Sequence, residues 1–379
     1  MKIGLFGMGT IGSGVYEIAQ TLRDVTVKKV LEVRFQADYI TDDIHVILDD
    51  PEIELVVETM GGLHPAYEFA TQVLESGKHF VTANKLLVSA YGPELTALAK
   101  KKGVAFLYGA ACGGGIAYLA NLTIARGIDN ITSLGGILNG TTNYILDAMQ
   151  SKGLNYADVL AEAQSLGYAE RDPSSDVDGL DTQRKLILAS AVGFDVYFKP
   201  EDIPTRGIAS VLPVDVEYAK ANGLALRLCA RAEKGKDGAI SAYVEPTLVP
   251  VSAPEAAILS NVNYAWYEGE SYGLMSYIGQ GAGKLPTAAN VLRDVRSVDA
   301  GHRYMTTESC APGKPDNASA RHAYYLRVPT GTEIPEAWIA KRDARGDWDI
   351  YETAPVSVAD MHARMKENKA AFFAGIQKG

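Results

Sequence analysis

The sequence predicts an α/β protein: a doubly wound parallel sheet first, an α+β region after it, and a short C-terminal α+β tail. Three observations carry that prediction. Short apolar strands alternate with helical stretches through the first 110 residues, at the spacing of repeated strand–helix–strand units. A Gly-x-Gly-x-x-Gly stretch stands between the first strand and the first helix. From residue 223 onward apolar and polar residues alternate, the pattern of half-buried antiparallel strands. With 379 residues the chain has room for two domains and a small third.

The first strand is KIGLF, residues 2–6. Gly7, Met8, Gly9, Thr10, Ile11 and Gly12 follow, then the helical stretch GVYEIAQTL. Glycines so placed allow a tight turn and a close approach of pyrophosphate to backbone, with the phosphate charge on the helix N-terminus. In this strand–turn–helix context they predict a Rossmann-type dinucleotide site. In the next strand, VTVKKVLEV, Glu32 stands about 20 residues past Gly12, where an acid binds ribose hydroxyls. Arg34, two residues on, suits a 2′-phosphate instead, so the pair leaves NAD and NADP both open.

A helix near 43–50, the strand IELVVET (53–59), a helix over 65–76, the strand KHFVTAN, the helix PELTALAKKK and the strand VAFLYG complete the run. Ligands of such sheets sit beyond the carboxyl ends of the strands. Thr59, Met60, Gly61, Gly62, Asn84 and Lys85 fall there. The next strand-end loop is GAACGGGIA (109–117), leading into a helix near 116–127. Residues 131–146, ITSLGGILNGTTNYIL, read as a strand ending at Asn139-Gly140, with Thr141 or Thr142 capping a helix. An Asn and small hydroxyls at such a junction also suit a polar substrate.

Residues 167–188, GYAERDPSSDVDGLDTQRKLIL, gather Glu170, Asp172, Asp176, Asp178, Asp181 and Lys185. The first half is loop by its Pro173 and serines. From Asp176 the spacing of Leu180, Ile187, Leu188 and Val192 predicts a helix, with Asp181 and Lys185 on one face. That pair reads as a solvated ion pair or as an acid–base and substrate-binding face.

Residues 223–233, 238–246 and 260–268 read as antiparallel strands, and the Tyr- and Trp-rich VNYAWYE suits a subunit interface. GQGAGKLPTAAN turns into a helix with Pro286 near its first turn. Residues 301–322 read as a linker; the strands AYYLRV and WDIYE and a helix from about 357 to 374 end the chain.

Net charge is −10 with no basic cluster, which excludes a nucleic-acid role. No apolar run is long enough to span a bilayer, and the N-terminus enters a strand without a leader, so no membrane role and a cytoplasmic location are expected. Cys112, Cys229 and Cys310 share no metal or disulfide spacing and fit a reducing compartment.

GMGTIG (7–12), VVETMGG (56–62), TANK (82–85), GGILNGTTNYIL (135–146), YAERDPSSDVDGLDTQRK (168–185) and GQGAGKLPTAANV (279–291) occur together in order. Through them the chain resembles the homoserine dehydrogenases over about residues 1–300. The resemblance implies NAD(P)-dependent hydride transfer between L-homoserine and L-aspartate 4-semialdehyde, in threonine, methionine and isoleucine biosynthesis.

It also implies roles. Lys185 falls on the proton donor and acceptor, Lys85 on the lysine near nicotinamide and substrate, and Asp181, with Glu170, on the carboxylates that hold the substrate amino group and order the site. Glu170, Asp176, Asn139, Gly140, Thr141, Gly167 and Tyr168 fall in the substrate set. Gly281 falls in a second Gly-rich loop touching the cofactor, with the residues of 7–12, Glu32, Arg34, Thr59, Met60 and Gly61. In the family the loop at 109–117 holds a monovalent cation, Na+ or K+, largely through backbone carbonyls; Gly109, Cys112 and Gly114 are the matching positions. This chain departs there, with Gly109 for the usual Glu and Ala117 for the usual Pro.

The implied domains are 1–135 with about 284–300 for NAD(P), 136–283 for substrate, catalysis and dimerisation, and 301–379 as linker and small tail. Many relatives carry a threonine-binding ACT domain at that end; this tail is short, lacks a clear repeat of that pattern and reads as at most a small ACT-like remnant. The expected assembly is a homodimer or a higher homo-oligomer. Two other readings stand beside this one. The first is an acylating semialdehyde dehydrogenase using Cys112, although a buried, inert thiol is the commoner case. The second is a catalytically silent NAD(P)-binding regulator.

Overall fold

The computed structural model describes residues 1–377. Six strands make its first sheet: β1 (Lys2–Phe6), β2 (Thr26–Leu31), β3 (Ile40–Thr41), β4 (Leu55–Glu58), β5 (His79–Thr82) and β6 (Phe106–Leu107). The helices α1 (Thr10–Ala19), α2 (His45–Leu48), α3 (Ala66–Glu75) and α4 (Lys85–Lys102) join them. The order is β3-β2-β1-β4-β5-β6 and every pairing is parallel. The central strands are continuous apolar runs, with Ile3, Leu5, Phe6, Leu55, Val56, Val57, Phe80 and Val81 all buried, as a sheet covered on both faces requires. The strand order reverses between β1 and β4, and a crevice opens at their carboxyl ends.

The chain continues through α5 (Tyr118–Arg126), β7 (Ile131–Ile137), α6 (Gly140–Lys152), α7 (Tyr156–Ser165), α8 (Ser174–Val177), α9 (Leu180–Phe194) and β8 (Val196–Phe198). Next come α10 (Pro213–Ala221), β9 (Leu224–Lys234), β10 (Ile240–Pro250), β11 (Val262–Gly269), β12 (Gly273–Gln280) and α11 (Lys284–Asp299). The last elements are β13 (Ala311–Gly313), β14 (Arg321–His322), β15 (Tyr324–Pro329), β16 (Ile339–Arg345), β17 (Trp348–Thr353), β18 (Val356–Ser357), α12 (Val358–Met365) and β19 (Phe372–Ile376).

Nine of these strands form a second, mixed sheet in the order β12-β11-β7-β9-β10-β19-β15-β17-β16. The described residues fall into two compact units. One holds residues 1–129, 187–199 and 279–313; the other holds 130–186, 200–278 and the chain from 314 onward.

The last strands differ from the sequence expectation. The helix expected to run to about 374 stops at Met365, and FFAGI forms β19. β19 pairs in parallel with β10 and antiparallel with β15. The reason is burial: Phe372, Phe373 and Ala374 are all enclosed, and an aromatic-rich run buried on both faces fits a central strand. The sub-order β19-β15-β17-β16, with α12 before β19, is that of a β-α-β-β-α-β unit that lacks its first helix. Its core is Tyr324, Leu326, Val328, Tyr351, Met361, Met365 and Phe373. The expected helix at 43–50 is a single turn, and β12 has no counterpart among the expected strands. The segment read as linker carries β13, which pairs in parallel with β8. Among the described residues, no helix is long and apolar enough to cross a membrane.

Candidate active site

Asn139 organises the polar cluster of the second unit. It ends the stretch after β7 and caps α6: its Oδ1 accepts from the Thr142 backbone N–H at 2.9 Å. The cap is therefore Asn139, not the Thr141 or Thr142 expected, because an Asn carboxamide one residue before the helix reaches back to that N–H. The same carboxamide donates through Nδ2 to Asp176 Oδ1 at 2.7 Å and to Asp181 Oδ2 at 2.8 Å. Asp181 Oδ2 also meets Lys185 Nζ at 2.7 Å, and Nζ donates to the Leu138 carbonyl at 2.5 Å.

Asp181 is 3 % exposed and Lys185 6 % exposed, so the pair is no solvated surface ion pair. The helix expected from Asp176 onward is broken. Gly179, at φ +83°, separates α8 from α9, so Asp176 and Asp181 arrive on different helices and meet at Asn139.

Thr141 Oγ1 donates to the Tyr168 carbonyl at 2.5 Å, tying the 167–170 loop to the start of α6. The Tyr168 ring lies edge-on to Tyr144, with centroids 5.1 Å apart. Gly140 sits so close to the Asn261 carbonyl that a Cβ would lie 2.6 Å from it. Glu170 is exposed and the buried cluster does not include it; Gln164 holds only its carbonyl, at 3.0 Å.

In the first unit, the crevice beyond β1 and β4 is a cleft of about 430 Å³ lined by Gly7, Gly9, Glu32, Arg34, Thr59, Met60 and Phe69, among others. Gly12 is required by close approach: a Cβ there would lie 2.0 Å from the Gly7 carbonyl and 2.8 Å from Thr59 Oγ1. Thr59 Oγ1 in turn donates to the Phe6 and Gly7 carbonyls, each at 3.1 Å. The open turn, the bare start of α1 and an acid at the end of β2 fit a dinucleotide.

Glu32 is fully engaged. It accepts from the Met8, Val33 and Arg34 backbone N–H groups at 2.9, 2.9 and 3.1 Å, and from Arg34 Nε and Nη2 at 2.9 and 2.6 Å. The guanidinium first, then these amides, pull its carboxyl down to about 2, against the cost of burial.

Sequence reasoning missed Glu58. Its Oε1 accepts from Met60 N at 2.7 Å and Gly61 N at 3.0 Å, and its Oε2 from Thr82 Oγ1 at 2.6 Å. Burial raises its carboxyl above the usual range. Thr82 Oγ1 accepts from Asn84 N, and Asn84 donates to the Gly62 carbonyl at 2.7 Å and caps α4. These bonds shape the strand-end loops from which Lys85, half-buried, begins α4. The available signal was a carboxylate ending the otherwise apolar strand LVVE.

The 109–117 loop is gripped by α11, which sequence reasoning also passed over. Gly109 N donates to Asp294 Oδ2 at 2.6 Å, and Asn290 reaches the carbonyls of Gly109, Gly114 and Ile116. Gly281 lies against this loop, its carbonyl 2.3 Å from where a Gly114 Cβ would stand. Cys112 is wholly buried, unlike the open, electropositive thiols that serve as nucleophiles. Among the described residues, no group of three or more His, Cys, Asp or Glu side chains is placed to hold a metal ion.

Comparison with known proteins gives matches along most of the chain. Residues 7–109 match the family model of the homoserine dehydrogenase NAD-binding domain, and residues 118–295 match that of homoserine dehydrogenase. The homoserine dehydrogenase of Synechocystis sp. is 40 % identical over 346 residues, 86 % of this chain and 79 % of its own. That of Bacillus subtilis is 38 % identical over 316 residues, 79 % of this chain and 72 % of its own.

A solved homoserine dehydrogenase from Thiobacillus denitrificans superposes with a TM-score of 0.88 at 31 % identity, covering 100 % of this chain and 98 % of that one. A hyperthermophilic archaeal homoserine dehydrogenase mutant solved with NADPH shares the fold, with a TM-score of 0.66 at 23 % identity, over 80 % of this chain and 99 % of that one. A dinucleotide cleft in one unit, a buried lysine–carboxylate cluster in the other and these matches along the chain lead to one assignment: the chain belongs to the homoserine dehydrogenase family, NAD(P)-dependent oxidoreductases that interconvert L-homoserine and L-aspartate 4-semialdehyde.

Proposed function

We propose that Lys185 moves the proton in this reaction and that NAD is the preferred cofactor. The observation that supports the first assignment is the buried Nζ held between Asp181 Oδ2 and the Leu138 carbonyl. The bound nicotinamide supplies or takes the hydride. Lys185 donates a proton to the oxygen that gains charge as the aldehyde is reduced, and takes it back in the reverse direction. Asp181 stabilises the protonated lysine, and Asn139 holds Asp181 in place. Lys85 adds positive charge and orientation, and Glu170 and Asp176 bind the substrate ammonium with Asn139, Gly140, Thr141, Gly167 and Tyr168 around it.

Glu32, Arg34 and the residues from Gly7 to Gly12 hold the dinucleotide with Thr59, Met60, Gly61 and Gly281. The Arg34 guanidinium is already neutralised by Glu32, and a carboxylate at that place repels a 2′-phosphate, which supports NAD. A cytoplasmic location and a homodimer belong to the same reading. The exposed Leu274, Met275 and Ile278 on the edge strand β12 support a contact with a second copy.

The test is growth of the reduced-nicotinamide absorbance when L-homoserine is mixed with NAD⁺ or NADP⁺ at alkaline pH. Lys185→Ala should lower kcat by about 10²- to 10⁴-fold and leave cofactor affinity unchanged. Turnover near that of the wild type in this variant removes Lys185 from the proton-transfer role, and faster turnover with NADP⁺ than NAD⁺ overturns the cofactor assignment.

A further inference from the structure

Three carbonyls of the 109–117 loop point at one nitrogen. Asn290 Nδ2 lies 2.7 Å from the Gly114 oxygen, 3.1 Å from the Ile116 oxygen and 3.4 Å from the Gly109 oxygen. Carbonyl dipoles that converge with their negative ends inward repel one another unless positive charge sits at their focus. Oxygen cages of this kind are what hard cations take. Here the focus holds a carboxamide NH₂. Its two protons serve the two nearer oxygens, and the third rests against the polarised group.

The orientation of the carboxamide is decided by its other end. Arg293 Nη1 donates to Asn290 Oδ1 at 2.9 Å, so a reversed amide would set a carbonyl oxygen against three others and its NH₂ against a guanidinium. Asn290 is 1 % exposed, and its nitrogen fills the place a cation would need. One helical turn on, Asp294 holds Gly109 from its N–H side. Gly109 is without a Cβ because one would lie 2.7 Å from Asp294 Oδ1, so no larger residue fits that position here. The backbone of Gly109 and Gly114 therefore does not fit a bound Na⁺ or K⁺ in this chain.

We propose that the Asn290 carboxamide is a built-in replacement for a monovalent cation, so that this dehydrogenase holds its 109–117 loop and turns over without Na⁺ or K⁺. Asn290 is a positioning residue: it acts through the loop, which lies against Gly281. The turnover arm of its test rests on the dehydrogenase assignment; the binding arm does not.

The experiment compares wild type, Asn290→Ala and Asn290→Asp in tetramethylammonium buffer, titrated with NaCl or KCl against tetramethylammonium chloride at matched ionic strength. Thermal unfolding is followed without substrate or cofactor, and turnover in parallel. The wild-type Tm and kcat should not respond to either cation. Asn290→Asp removes the donor and adds an acceptor, so its Tm should climb saturably with Na⁺ or K⁺, as for a ligand that binds only the folded state. Its turnover should fall about tenfold or more in tetramethylammonium and return with the same midpoint.

A wild-type Tm or kcat that rises saturably with Na⁺ or K⁺ overturns the proposal. So do variants whose Tm ignores both cations or that stay unfolded with and without them. A failure of Lys185 in its assigned role leaves the Tm result untouched.

Discussion

One carboxamide, Asn139, caps α6 through its oxygen and holds Asp176 and Asp181 through its nitrogen. Removing it leaves two carboxylates without that donor and frees the lysine's counter-ion to rotate. Asn139→Ala should therefore lower kcat about 10- to 100-fold, the usual range for losing a group that orients a reacting side chain. Steady-state kinetics check it; a change confined to KM would make Asn139 a binding group only.

Glu32 offers a pH test at the same scale. Its folded pKa, about 2, lies below its ordinary 4.5, so the stability it contributes is full above 4.5 and is lost as pH falls towards about 2. The stability gap between wild type and Glu32→Gln, measured by urea midpoints, should close across that window and be constant above it. The same substitution frees Arg34, and the ratio of kcat/KM for NADP⁺ over NAD⁺ should rise about tenfold or more, the effect of one charged contact. A ratio that does not move would assign the choice of cofactor to other residues.

At the scale of elements, two short breaks and one edge do most of the placing. Gly179 turns the chain between α8 and α9, so that two acids five residues apart in sequence converge from different helices. Asn290 and Asp294 stand beside Val291, Leu292, Val295 and Val298 among the buried residues of α11, where they meet the polar backbone of the 109–117 loop. β12 ends the nine-stranded sheet with Leu274, Met275 and Ile278 exposed, Ile278 at 64 %. An open edge carrying apolar side chains is a pairing hazard unless covered. Ile278→Asp should convert a dimer in analytical ultracentrifugation to monomer without loss of fold. An unchanged sedimentation coefficient would remove this edge from the proposed contact.

For the whole molecule, the C-terminal strands are structural rather than appended. Arg327 on β15 and Asp215 on α10 are each wholly buried and meet at 2.7 Å, with Tyr325 Oη donating to the same carboxylate at 2.8 Å. Arg327 also donates to the Ser210 and Ala370 carbonyls, and its guanidinium lies 4.3 Å from the Trp348 ring centroid. Truncating one partner strands a charge in the core. Arg327→Ala should cost about 3–5 kcal/mol in urea unfolding, and Arg327→Met combined with Asp215→Leu much less. Equal losses in the two variants would show that packing rather than the uncompensated charge dominates.

Much of this was legible in the chain itself. Period-two and period-3.6 patterns and the Gly7–Gly12 motif are local properties, so the parallel sheet, the dinucleotide turn and the Asp181–Lys185 face follow from residues near one another in sequence. The motifs of residues 135–185 carry the family resemblance for the same reason. Other features depend on partners distant in sequence, and no local pattern encodes them. Asn139 reaches Asp181 across 42 residues, Asn290 reaches Gly114 across 176, and β19 enters the sheet beside a strand more than a hundred residues earlier. Sequence determined which chemistry this protein carries and on which elements. Tertiary structure decided which polar groups meet, because burying a charge or a carbonyl demands a specific partner and the folded chain alone brings that partner within reach.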